Sequence, residues 1–185
     1  MIFIQANSYK IREGGIAMAY WMSQILVLAA YILLGFGLRK EKKIELLYYS
    51  CIYQALMLGQ YVLLNGTLGI ISSIMGIIRN IIFINNSRKN CGNSSAIVII
   101  FSIISFILMC IFYTNPIDIF PCIFTILGIW IYGSTNMKMI RLGNICISIC
   151  YIIYALSLNS YFSIVCEGYL IINTIIGYKK HESIT

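Results

Sequence analysis

The sequence predicts an all-α polytopic membrane bundle of about seven transmembrane helices, and three observations carry that prediction. The chain of 185 residues is 60% hydrophobic and only 10% charged, with a mean hydropathy of +0.88, whereas a soluble domain is about 45–50% apolar and about 25% charged. Its apolar residues fall in runs that match a bilayer core about 30 Å thick, which needs about 17–25 residues of helix. Its basic residues cluster between alternate runs, the pattern that encodes orientation. Too little polar surface is left to cover a water-soluble globule. The composition therefore excludes a secreted disulfide scaffold, a nucleic-acid binder and a disordered tail.

The spans follow in order. The first, 18–38, is stopped by Arg39, Lys40, Lys42 and Lys43. The second, 44–64, closes on Asn65-Gly66-Thr67, whose asparagine and glycine tolerate the left-handed conformation of a tight turn. The third, 68–84, precedes the longest polar stretch, NNSRKNCGNSS. The fourth, 96–113, ends at Thr114-Asn115-Pro116, and the fifth, 117–133, carries Pro121 near its start, where a missing amide donor costs little. The sixth is 142–158, and Asn159-Ser160 turns the chain into the seventh, 161–178.

Charge tests the drawing independently. The net charge of +7 comes from 13 Lys and Arg residues against 6 acids. Ten of the 13 fall in the first, third and fifth connections and the tail: Arg39 to Lys43, Arg88 and Lys89, Lys138 and Arg141, Lys179 and Lys180. The connections at 65–67, 114–116 and 159–160 hold none. This places the amino terminus outside and the carboxyl terminus inside, with anionic lipid rather than nucleic acid as the basic residues' partner. Lys10 and Arg12 precede the first span on the outside. Glu13-Gly14-Gly15 is encodable by a purine-rich ribosome-binding sequence upstream of Met18, which predicts that 1–17 is an extension and Met18 the natural start, followed by one transmembrane domain, 18–180, and a tail, 181–185.

The two ends of the chain echo one another. Asn65-Gly66-Thr67 before span three matches Asn159-Ser160-Tyr161 before span seven at a displacement of 94, and Leu34-Gly35 in span one meets Leu127-Gly128 in span five at 93. Halves made of spans 1–3 and 5–7, joined by span four, lie four crossings apart and face the same way. That is the parallel 3+1+3 arrangement of the SWEET sugar transporters, with a site expected between halves near the midplane. A plain helical bundle with no internal pathway is the alternative.

Ionisable residues inside a span are costly enough to demand a reason. Arg79 lies about six residues from the end of span three, about 9 Å along a helix, within reach of the headgroups by snorkelling. Glu167 lies a similar depth from the other face in span seven, too deep for a carboxylate to snorkel, so it is neutral, paired or beside a wet cavity. Span seven being the repeat partner of span three, Arg79 and Glu167 are candidates to face each other as a substrate site. Gln24, Gln54, Asn80 and Asn173 join them as polar groups that need partners away from lipid. Ser72 and Gly76 share a face of span three suited to close helix approach.

Most aromatic residues suit the interface: Tyr20 and Trp21, Tyr48 and Tyr49, Trp130 and Tyr132, and Tyr178, whereas Tyr31, Tyr53 and Tyr151 are deeper. The seven cysteines do not make a metal site, since the lone histidine, His181, is in the tail. Without a phosphate loop, nucleophile elbow, zinc motif or paired carboxylates, neither an enzyme nor a cofactor is expected.

Three segments together resemble the YgjV-type bacterial inner-membrane proteins: Ala19 to Gln24 (AYWMSQ), Ser72 to Arg79 (SSIMGIIR) and Glu167-Gly168. The resemblance runs from about Met18 to Lys180, and family members similarly begin near this Met18. The family pattern has Asn three residues before the arginine, where this chain has Gly76, so a polar site shared at that position does not carry over. The resemblance implies a multi-pass protein of the bacterial inner membrane. Two functions remain open: a small-solute transporter with a site between the halves, or a non-transporting protein that binds a lipid or protein partner.

Overall fold

The computed structural model describes residues 13–89, 95–113, 119–157 and 161–182. Among these the chain forms seven α-helices and no strand: α1 Glu13–Leu38, α2 Lys43–Leu63, α3 Thr67–Arg88, α4 Ser95–Ile111, α5 Ile119–Gly133, α6 Met137–Ser157 and α7 Tyr161–Glu182. Each drawn span has its helix. Residues 1–12 of the expected extension, the span-four to span-five turn and the Asn159-Ser160 turn lie outside the described residues. Residues 13–17 open α1.

By length and composition, Tyr20–Leu38 and Thr67–Arg88 are apolar and long enough to cross a membrane, and Ser95–Ile111 and Cys122–Gly133 are shorter apolar helices. The remaining helices, α2, α6 and α7, have 21 or 22 residues but carry charged ends and inward polar groups that dilute their apolar character. The surface is far more apolar than that of a soluble protein, and polar side chains are buried among the core residues. Trp21 (68%) and Val165 (69%) are strongly exposed, along with Ile25, Ile111 and Ile153, while Asn80 and Asn173 are wholly buried with Ser23, Ser50 and Ser73. An apolar exterior with paired polar groups inside is the arrangement that a bilayer stabilises, because interior polar groups must pair within the protein.

The packing order is a ring. Helix α1 lies along α2 and α2 along α3; α3 meets α5; α5 meets α6, α6 lies along α7, and α7 returns to α1, while α4 packs outside against α5 and α3. The α2–α3 turn forms as its residues predict. Asn65 takes φ 54°, and the amides of Asn65 and Gly66 bond back to Val62 O (3.3 Å) and Tyr61 O (2.8 Å), closing the end of α2 with a left-handed residue at C′. Gly76 meets the Gln54 side chain of α2, whose Cδ would stand 2.7 Å from a Cβ there.

The reading of Arg141 as a loop charge is corrected. Helix α6 begins at Met137, ahead of the drawn 142, and Arg141 is 1% exposed inside it. The physical reason lies in α1, whose C-terminal carbonyls have no partner within their own helix and bind this guanidinium instead.

Candidate functional site

A cavity of about 130 Å³, roomy enough for water or a small solute, is lined from six helices. Leu34 of α1, Gln54 of α2, Arg79 of α3, Tyr132 of α5, Ser148 of α6 and Glu167 of α7 all border it. Arg79 and Glu167 are buried on α3 and α7, while Ile74, Ile78 and Ile81 of α3 and Ile172, Ile175 and Ile176 of α7 are exposed, so each of the two helices presents its ionisable residue inward and an isoleucine face outward.

Arg79 is 4% exposed, so it does not snorkel to headgroups. Its Nε and Nη2 donate to Asn80 Oδ1 at 3.2 and 3.0 Å, and its guanidinium stands 4.9 Å over the Tyr132 ring. Asn80 Nδ2 donates to Ser50 Oγ (3.0 Å), and Ser50 bonds the Tyr132 phenol. Tyr132 donates to Asn144 Oδ1 (3.2 Å), and Asn144 Nδ2 ends the chain on Ile140 O (2.8 Å). One relay thus ties α3, α2, α5 and α6 beneath the arginine with its polar groups paired, as a water-poor interior demands.

Glu167, also 4% exposed, is held by neutral donors. Tyr31 Oη donates to its Oε1 at 2.8 Å, and Ser148 bonds the same carboxyl. Tyr31 is in turn hydrogen-bonded to Tyr53, and their rings meet edge to face at 5.7 Å. Arg79 and Glu167 therefore share one cavity, each with its own set of partners.

The other predicted residues divide. Gln54 borders the cavity, and Asn80 braces Arg79 from behind. Asn173 is elsewhere: its Oδ1 accepts from Arg39 Nε at 2.5 Å and its Nδ2 donates to Tyr169 O, at the end of α1. Gln24 reaches Ser23 Oγ at 3.5 Å near the start of α1 and does not border the cavity. Sequence reasoning missed Ser50 and Ser148, because small hydroxyls carry no signal on an apolar helix, and it assigned Tyr132 to the interface although the ring is buried under Arg79. The depth of Tyr31, Tyr53 and Tyr151 was a usable signal: Tyr53 and Tyr151 border the cavity, and Tyr31 holds Glu167. Among the described residues no group of three His, Cys, Asp or Glu side chains is placed to hold a metal.

Where α1 gives way to α2 and α5 to α6, the bundle is closed by basic residues that cross between the two sets of helices. Arg141, at the start of α6, donates from Nη2 to Lys40 O (2.7 Å) and from Nε to Leu38 O (3.4 Å). Lys43, at the start of α2, donates from Nζ to Ser134 O (2.6 Å) and Gly133 O (3.5 Å), at the end of α5. Both place a cation at a helix C-terminus, where the backbone dipole favours it. Burial lowers the Lys43 ammonium to about 8. Leu38, Leu46, Leu47, Phe83 and Ile140 fill the same end with an apolar plug.

No curated protein and no solved structure matches the chain significantly. A family model does: residues 21–184, nearly the whole chain, match Imp-YgjV, bacterial inner membrane protein, and the protein belongs to that family.

Proposed function

We propose that the protein is a small-solute carrier whose site lies between two three-helix halves, α1–α3 and α5–α7, joined by α4. The observation that carries this reading is the cavity itself, bordered by all six of those helices, with Arg79 and Glu167 in the same space. A bundle serving only as a lipid or protein anchor gains nothing from placing two costly ionisable groups beside a common cavity.

Several features support the parallel repeat. The pairs α1 with α2, α2 with α3 and α3 with α5 have counterparts in α5 with α6, α6 with α7 and α7 with α1. Helices α3 and α7 begin at Thr67 and Tyr161, at the displacement of 94 that relates the two turn motifs. The Lys43 and Arg141 contacts are reciprocal, each holding the end of the first helix in the opposite half. In this reading all seven helices cross the membrane, with the amino terminus outside. The basic, plugged end then faces the cytoplasm, and the halves rock about the cavity to open it, as in other parallel-repeat carriers.

Vesicles reconstituted with the purified protein test the reading. Uptake of at least one small polar solute above that of empty vesicles is expected, and Glu167→Gln, which keeps the side chain's shape and its Tyr31 contact, is expected to lower it at least tenfold while helical content is retained. Uptake equal to empty vesicles across neutral, anionic, cationic and zwitterionic solutes overturns it.

A further inference from the structure

Resting on the carrier reading, we propose that the cavity takes a small zwitterion bearing one carboxylate and one ammonium group, as an α-amino acid does, the carboxylate on Arg79 and the ammonium on Glu167. The guanidinium is charged at every physiological pH, and in a low-dielectric interior such a charge calls for an anion. Its structural partners are neutral: the Asn80 amide oxygen and the Tyr132 ring. Its Nη1 is aimed past Gly128, 3.4 Å from where a Cβ would sit, so the missing side chain leaves that amino group approachable from the cavity.

Glu167 is the mirror case. Tyr31 and Ser148 each donate to it, while a carboxylate offers about four lone-pair sites. Capacity for another donor remains, on a residue that borders the cavity. A guanidinium and a carboxyl group, each bonded by neutral groups and both bordering one small space, are complemented together by a solute that carries the reverse pair. A simple anion leaves the carboxyl without an ion partner, a simple cation leaves the guanidinium without one, and a neutral polyol leaves both.

Binding to the purified wild-type protein, measured by calorimetry, needs no variant that risks misfolding. Glycine, L-alanine and L-leucine serve as zwitterions, L-alanine methyl ester lacks the carboxylate, N-acetyl-L-alanine lacks the ammonium, and glycerol is the neutral control. At least one zwitterion is expected to bind, and for L-alanine each blocked derivative is expected to bind at least about tenfold more weakly, the effect of losing one charge-assisted contact. Binding or vesicle uptake of glycerol or of a blocked derivative, with zwitterions equal or inferior, overturns the zwitterion assignment and leaves the carrier reading standing. No binding and no uptake of any of the six overturns both. Arg79→Gln is expected to weaken L-alanine and N-acetyl-L-alanine while leaving the methyl ester unchanged; an equal loss for all three means that the arginine is only structural.

Discussion

Tyr31 on α1 and Glu167 on α7 are 136 positions apart in the chain and 2.8 Å apart in the fold, the phenol donating to the carboxyl oxygen Oε1. This bond joins the first and last helices and fixes the direction in which the carboxyl faces. Removing the donor leaves a buried acceptor with less support, so Tyr31→Phe is expected to lower stability by about 1–2 kcal/mol. Thermal unfolding in detergent, followed by circular dichroism, measures it. In a double-mutant cycle with Glu167→Ala the two losses are expected to be smaller together than their sum; strict additivity means that the bond contributes nothing.

Arg141 gives a prediction of a different kind. Its guanidinium satisfies Lys40 O and Leu38 O at the end of α1 while itself 1% exposed. Arg141→Met keeps the apolar stem and removes the donors, and is expected to cost about 2–4 kcal/mol. Arg141→Lys is expected to recover only part of this, because one ammonium lacks the spread of the planar fork. Chemical denaturation of the detergent-solubilised protein separates the two variants. Equal stability of Met, Lys and wild type contradicts the clamp.

A pair of glycines in one helix separates close packing from helix propensity. A Cβ on Gly177 of α7 would collide with the carbonyl oxygen of Leu38 and stand 3.2 Å from Arg39 Cα, whereas nothing lies within 4 Å of a Cβ on Gly168. Gly177→Ala is therefore expected to destabilise by about 1–3 kcal/mol. Gly168→Ala is expected to stabilise by up to about 1 kcal/mol, since alanine is the better helix former. Melting temperatures moving in opposite directions check both.

Helix number and position were legible in the residues because hydrophobic run length, basic clusters and turn residues are local signals. Asn65 shows this directly, taking the left-handed conformation its type allows. Arg79 and Glu167 were legible as costly groups, for a charge in an apolar run stands out against its neighbours. Their partners were not. Ser50, Ser148 and Tyr132 are ordinary residues of apolar helices until the ring of helices brings them to one axis. Asn173 illustrates the converse: its type marked it as polar and buried, yet only the packing of α7 on α1 directs it to Arg39 rather than to the cavity.

The sequence by itself thus determined an all-helical membrane protein and the placement of its ionisable groups within apolar runs, because these follow from the composition and spacing of a single chain segment. The tertiary structure alone decided that Arg79 and Glu167 share a cavity without pairing, and that Arg141 and Lys43 cross to opposite helix ends. Helix rotation and neighbour choice settle such facts. They depend on side-chain contacts between segments about a hundred residues apart, for which no spacing within one span carries information.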